Sequence, residues 1–99
     1  MMDYSLPEET TSITSQQPHN REAEEAVLGA VLIFPESYYD LSQKLKADDF
    51  YIIRNRWVWE SYTSLIERRQ KIDLLTVSAA LNEKNHLEEI GGTAYLTTL

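Results

Sequence analysis

Apolar residues recur at helical spacing along most of residues 20–99. The first such segment begins at Asn20, which is a good N-cap residue, and acidic residues in the following turn suit the positive end of a helix dipole. Leu28 and Leu32 form one ridge of this predicted helix, and a helix with two apolar faces is normally packed between two partners. The larger face, roughly opposite and predicted to point inward, carries Ala23, Ala26, Val27, Ala30, Val31 and Phe34.

Four more helices follow from the same spacing. Pro35 ends the first helix and can open the second, and Asp73 is a plausible N-cap for the fourth. Gly91-Gly92 interrupts the chain before a last helix that begins near Thr93. The middle three helices are predicted at residues 35–46, 54–70 and 74–85, with Val58, Tyr62, Leu65 and Ile66 as the core stripe of the third and Trp59 on its flank.

No stretch of useful length alternates between apolar and polar residues, so no strand is predicted. The pattern therefore predicts an all-α fold, a compact orthogonal bundle of about five short helices. A length of 99 residues is that of one small domain, and 42% hydrophobic residues is ordinary for a globular protein.

The net charge of -7 and the pI of about 4.7 argue against nucleic-acid binding by the whole surface, because an acidic surface repels phosphates. The absence of cysteine excludes disulfides and thiolate chemistry. No apolar run approaches the roughly 20 residues of a membrane span, and no secretory signal is present. We therefore expect a cytoplasmic protein without a membrane partner.

The charge is unevenly distributed along the chain. Residues 1–19 contain Asp3, Glu8 and Glu9, no lysine or arginine, and a long polar stretch. Such a segment cannot bury enough apolar area to offset the entropy of ordering it. We interpret residues 1–19 as a flexible acidic N-terminal tail and residues 20–99 as the helical domain.

The sequence contains no motif that indicates catalysis. Its three glycines form no phosphate-binding loop. His19 and His86 each stand alone in loop-like sequence, so both are expected to be solvated surface residues. Ser61 and Ser64 are expected on the solvent face of the third helix with no base nearby. No catalytic, cofactor-binding or metal-binding residue is predicted.

Trp57 is the main candidate for a protein interface. On a helical wheel it lies with Ser61, Ser64 and Arg68, opposite the apolar stripe of its helix. A large aromatic residue on a polar face is covered either by another element of the domain or by a partner protein, and both alternatives stay open. Tyr39 is a weaker candidate, because its neighbour Tyr38 belongs to the apolar set. The candidate interface residues are Trp57, Tyr39, Leu28, Leu32 and Arg68.

An alternative function is a small helical nucleic-acid-binding module that uses the helix predicted at residues 54–70. Trp57 and Trp59 lie among basic residues there, and aromatic residues interleaved with arginine can stack on bases. Acidic residues share this helix, however, and its arginine pairs stand about 20 Å apart. The basic residues concerned are Arg54, Arg56, Arg68, Arg69 and Lys71.

Four blocks of sequence, in order, resemble the N-terminal domain of bacterial replicative DNA helicases of the DnaB type, and together they span residues 18–99. One departure from the family pattern is Asn55, where members commonly have histidine before the arginine, and we expect a different buried hydrogen bond there. The other is Ile52-Ile53, which replaces a turn that is often more polar or contains proline. The blocks are Pro18-His19-Asn20-x-Glu22-Ala23-Glu24-x-x-Val27-Leu28-Gly29-Ala30, Asp49-Phe50-Tyr51 with Arg56 before Val58-Trp59, Ile72-Asp73-Leu74-Leu75-Thr76-Val77, and Gly91-Gly92-x-Ala94-Tyr95-Leu96.

The resemblance implies a non-catalytic collar domain of a hexameric helicase. It implies assembly with sister subunits, recruitment of primase at the replication fork, and contact with a helicase loader or initiator protein in some bacteria. It also implies that ATP and Mg²⁺ bind to a motor domain of the parent protein, which this chain lacks. No direct DNA binding is expected from the N-terminal domain itself.

Overall fold

A computed structural model of the chain describes the backbone of residues 17–99 and the side chains of residues 21–99. This part of the chain is all-helical, as predicted, and contains no strand. The elements are α1 (Gln17–Ile33), α2 (Ser37–Leu41), a 3₁₀ helix (Ala47–Asp49), α3 (Ile53–Glu67), α4 (Leu74–Glu83), α5 (Leu87–Ile90) and α6 (Gly92–Thr97).

The first helix begins earlier than predicted. It starts at Gln17, so Asn20 lies inside α1 and is not its N-cap. Pro18 occupies the first turn, where its missing N–H and its restricted φ angle are well tolerated. The predicted tail boundary at residue 19 therefore falls within α1, and the rest of the predicted tail, residues 1–16, lies outside the described residues.

Helix α3 is the centre of the bundle, and α1 and α4 pack on it. Its residues Val58, Tyr62 and Leu65 are buried as predicted, but Trp59 is also buried rather than placed on the flank. The Trp59 ring packs between Tyr38 and Phe50, with centroids 5.1 and 5.4 Å away. The core consists of Leu28, Val31, Tyr38, Phe50, Val58, Trp59, Tyr62, Leu65, Ile72, Val77, Ala80, Leu81, Ile90, Tyr95 and Leu96.

The orientation of α1 is the largest departure from the prediction. Leu28 and Val31 are fully buried against the rest of the bundle. The face that was predicted to point inward is mostly exposed instead. The prediction of Leu28 as an interface residue is therefore wrong, because its side chain belongs to the core and offers no surface to a partner.

Specific capping interactions define the ends of the later helices. Asp73 caps α4 as predicted: its carboxylate accepts a hydrogen bond from the Thr76 N–H at 2.8 Å, and this bond holds the pKa of Asp73 below its usual range. Helices α3 and α4 both end in a left-handed residue, Arg69 with φ 60° and Asn85 with φ 63°. In each case the N–H of the next residue bonds back to the final turn, which is the Schellman arrangement.

Candidate protein–protein interface

An outward-facing apolar surface runs along α1. We call it the α1 stripe, and Ile33 and Phe34 at its end are 83% and 61% exposed. Its members share one side of the helix by their spacing of three and four residues. The α1 stripe consists of five uncharged residues, Ala23, Ala26, Ala30, Ile33 and Phe34.

A shallow depression of about 270 Å³ extends the α1 stripe. Ala23 and Val27 of α1 form one wall, and Tyr51, which is exposed, stands on the other side. Leu45 and Phe50 complete the apolar lining. Glu24 and Asp49 also line the depression, which adjoins the stripe at Ala23. Exposed apolar surface of this kind marks interaction sites on soluble proteins.

A buried polar cluster sets which side of α1 faces out. The Glu24 carboxylate accepts hydrogen bonds from the N–H groups of Tyr51 at 2.5 Å and Ile52 at 3.3 Å, just before the start of α3. It also accepts a bond from the amide nitrogen of Asn55 at 2.9 Å. Because a buried carboxylate needs such partners, Glu24 points at α3, and this orientation leaves the residues of the α1 stripe facing outward.

Asn55 connects this cluster to α6. Its side chain is fully buried, and its carbonyl oxygen accepts a hydrogen bond from the Tyr95 hydroxyl. Burial raises the pKa of the Tyr95 hydroxyl, with the nearby carboxylates adding to this effect and Arg54 opposing it. The expected buried hydrogen bond at Asn55 is thus confirmed, and α1, α3 and α6 are joined through one side chain.

Trp57 is covered by its own domain. The His86 ring stacks on the indole with centroids 3.9 Å apart and planes at 14°. Ala80 and Leu81 of α4 border the same site. The left-handed turn at Asn85 brings His86 over α3, so the prediction that His86 is a solvated surface residue is wrong. Trp57 is half-buried, and its role in a protein interface stays a prediction.

The other predicted interface residues are dispersed. Tyr39 is exposed and Leu32 is half-buried. Arg68 is exposed but bonds to Glu83 at 2.9 Å and to the Ser64 hydroxyl at 3.0 Å. The structure does not bring these residues together around Trp57. Ser61 is buried rather than on the solvent face, since α4 covers this side of α3.

The nucleic-acid alternative loses part of its predicted surface to contacts within the fold. Trp59 is 2% exposed and cannot stack on a base. The Arg54 guanidinium lies over the Tyr95 ring, 4.1 Å from its centroid, and Arg56 donates to the Phe50 carbonyl at 2.9 Å. Three of the residues that this alternative uses are therefore engaged within the fold. For Trp57, Arg68, Arg69 and Lys71 the alternative stays a prediction.

Trp57→Ala is expected to lower the free energy of unfolding by about 2 kcal/mol, because half of a large aromatic side chain and its stack on His86 would be lost. Urea unfolding followed by circular dichroism measures this change. Tyr51→Ala, at an exposed position, serves as the control and should change stability by less than about 0.5 kcal/mol. If both substitutions had equally small effects on stability, the conclusion that His86 covers Trp57 would be wrong.

The described residues show no feature of a metal site or of a membrane span. Among residues 21–99, no three histidine or acidic side chains are grouped closely enough to hold a metal ion. No helix between residues 17 and 99 has both the length and the apolar character needed to cross a membrane. Exposed apolar helix surface is a common feature of domains that bind other proteins.

Comparison with known proteins identifies the family of this helical domain. The family model described as "DnaB-like helicase N terminal domain" matches residues 16–99. The crystal structure of the N-terminal domain of DnaB helicase from Mycobacterium tuberculosis superimposes with a TM-score of 0.79 at 34% identity, covering 84% of this chain and 58% of that one. The chain therefore belongs to the family of DnaB-like helicase N-terminal domains.

Two curated relatives show how much of a full-length family member this chain represents. It is 42% identical over 82 residues to the replicative DNA helicase DnaB of Pasteurella multocida. The matched residues make up 83% of this chain and 18% of the relative. It is 39% identical over 82 residues to the replicative DNA helicase DnaC of Bacillus subtilis, with the same shares. The chain thus spans about a fifth of the length of these relatives.

Proposed function

We propose that this chain is the non-catalytic N-terminal collar domain of a hexameric replicative DNA helicase. In this role it joins sister subunits and recruits primase at the replication fork. Membership in the family of DnaB-like helicase N-terminal domains supports the assignment to a helicase. The α1 stripe is the observation that supports a docking role, because it leaves large apolar side chains in water on an otherwise acidic domain.

The shape of the α1 stripe suits packing against another helix. Ala26 and Ala30 let a second backbone approach closely, while Ile33 and Phe34 supply the large apolar side chains that anchor an interface. The depression beside Ala23 and Val27 offers a place for one large side chain of a partner. Removal of this surface from water on binding provides the driving force.

The remaining parts of the proposal concern the parent protein. Its partners are sister subunits, primase and, in some bacteria, a helicase loader or initiator, all in the cytoplasm. ATP and Mg²⁺ serve its motor domain and need no residue of this chain. The acidic charge of the collar domain repels DNA phosphates, so the domain guides proteins rather than nucleic acid.

Ile33→Glu is expected to weaken the complex with the C-terminal domain of the cognate primase, or the self-association of the chain, at least tenfold. The reason is that a charge would then have to be desolvated in the apolar contact. Sedimentation velocity of the chain alone and mixed with that primase domain measures both. Leu75→Glu is the matched control, since Leu75 is 79% exposed on α4 but lies outside the α1 stripe.

Three outcomes decide the proposal. Loss of association with Ile33→Glu but not with Leu75→Glu supports it. Equal effects of the two substitutions would show that the α1 stripe is not the contact. A chain that remains a monomer at high concentration and does not bind primase would contradict the docking role as a whole.

A further inference from the structure

Helix α1 contains a buried glycine, Gly29, in its interior. Glycine there is less stable than alanine, because glycine loses more conformational freedom when the helix forms. A Cβ atom at this position would lie 2.6 Å from the carbonyl carbon of Leu99 and 3.2 Å from its oxygen. A side chain therefore fits only if one of the two backbone segments moves, and glycine is the residue that lets the chain at Leu99 rest directly on α1.

The last turn of α6 brings Leu99 to this position. The N–H groups of Thr98 and Leu99 donate to the carbonyls of Tyr95 and Leu96 at 3.0 and 3.3 Å, so the turn continues past the end of the helix. Tyr95 and Leu96 are buried and fix α6 in the core. Leu99 is half-buried and packs against the same core. The backbone of Leu99 is therefore held by α6 on one side and rests on α1 on the other.

The contact between Gly29 and Leu99 lies beside the α1 stripe. Residues three and four positions apart are neighbours on the surface of a helix. Ala26 precedes Gly29 by three positions and Ile33 follows it by four, and both are exposed members of the stripe. Leu99 therefore lies on α1 next to two of the five residues of the stripe, and the end of α6 borders that part of the docking surface.

A helix that packs on the α1 stripe comes within reach of this border. The axes of two packed helices are about 8–10 Å apart, and each helix with its side chains is about 10–12 Å wide. A partner helix over Ala26 and Ile33 is therefore wide enough to contact the residues that rest on Gly29. Of these residues, Thr98 is exposed and Leu99 is half-buried, so both have surface left for a partner.

We infer that Gly29 is a positioning residue, which seats the end of α6 on α1 so that Thr98 and Leu99 form one edge of the docking surface. A partner helix with an apolar face that binds the α1 stripe then also contacts the end of α6. The coupling is reciprocal, so a change in the position of Leu99 alters the affinity for that partner. The seat at Gly29 stands without the proposed function, whereas its link to docking rests on that function.

Gly29→Ala tests the seat in the chain alone. Alanine is the better helix former, so without the contact this substitution would raise the urea midpoint of unfolding. We expect the midpoint to fall instead, and the amide signals of Thr98 and Leu99 to shift more than those of any other residue outside α1. Ala30→Ser is the matched control, because it also adds one heavy atom to α1 but at an exposed position, and it should leave the Leu99 signal unchanged. A raised midpoint with an unshifted Leu99 signal in Gly29→Ala would overturn the proposal.

A measurement on the unmodified chain decides the same question if Gly29→Ala does not fold. Nuclear Overhauser effects are expected between the Hα protons of Gly29 and the protons of Leu99, since the two backbones are in contact. Leu99→Ala removes the packed side chain but keeps the backbone, so the effect from Gly29 to the Hα proton of residue 99 should persist. Absence of these effects in the unmodified chain would show that the end of α6 does not rest on Gly29.

The link to docking is tested by adding the C-terminal domain of the cognate primase to the ¹⁵N-labelled chain. The amide signals of Thr98 and Leu99 are expected to shift together with those of Ala26 and Ile33. Gly29→Ala should weaken the complex at least about fivefold, which is the low end of typical coupling between sites. Shifts at Ala26 and Ile33 without any at Thr98 and Leu99 would overturn the edge role and leave the docking role intact. No shift at any of the four residues would contradict primase docking on the α1 stripe and the edge role with it.

Discussion

Trp59→Ala is expected to lower the free energy of unfolding by about 3–5 kcal/mol, the range found when a buried tryptophan is removed from a core. Trp59 is 2% exposed and makes aromatic contacts with Tyr38, Phe50 and Tyr62. These residues come from α2, from the segment after the 3₁₀ helix and from α3 itself. Removal of the indole would therefore leave a cavity where three parts of the chain meet.

Urea unfolding followed by circular dichroism measures this loss. Small domains are stable by about 5–15 kcal/mol, so the variant should be close to unfolding at 37 °C. Trp59→Phe keeps an aromatic ring in the site and should lose clearly less than Trp59→Ala. Trp57→Ala is the second reference, because that ring is only half-buried. A smaller loss for Trp59→Ala than for Trp57→Ala would show that the core is centred elsewhere.

Glu24→Leu is expected to cost about 3 kcal/mol or more, although leucine is the more hydrophobic residue. The Glu24 carboxylate is the acceptor for the Tyr51 and Ile52 N–H groups and for the Asn55 amide. Removal of one member of a buried polar group leaves the other members desolvated and without a partner, which costs more than the hydrogen bonds contribute when formed.

Two companion variants make the Glu24 result specific. Glu25→Leu removes the neighbouring carboxylate, whose ion pairs with Arg21 and Arg54 are 3.4 and 3.9 Å long and partly exposed, so a loss below about 1 kcal/mol is expected. Glu24→Gln keeps one acceptor oxygen and should recover part of the stability. If Glu24→Leu and Glu25→Leu had the same effect on the urea midpoint, the polar cluster would not hold α1 in place.

Local patterns predicted a large part of the fold correctly. The spacing of Val58, Tyr62 and Leu65 predicted the inner side of α3, and Asp73 predicted the start of α4. Gly91-Gly92 predicted the break before the last helix, where both glycines have positive φ. Each of these features depends on residues within a few positions of one another, so the sequence alone carries the information.

The candidate interface was predicted less well, because two contacts between distant parts of the chain determine it. The two-sided apolar pattern of α1 allowed either face to point inward, and the preference came from the bonds of Glu24 to α3, about 30 residues away. Trp57 is covered by His86, and this contact could not be predicted from a single histidine in a loop-like sequence. The sequence held one signal for the orientation of α1. Glu24 is an acidic residue that lies at helical spacing from Leu28 and Val31, and so on the same side of the helix.

The helical class and the capped start of α4 could be established from residue type and spacing, because helix formation and capping are governed by neighbours in the sequence. The buried hydrogen bond at Asn55 was expected from the comparison with the family pattern. The exposed α1 stripe and the buried Trp59 emerged only when the helices were packed together. Such surfaces depend on which buried polar groups form hydrogen bonds with distant parts of the chain. Here the hydrogen bonds of the buried Glu24 carboxylate fix the orientation of α1, so that its alanines, Ile33 and Phe34 face water.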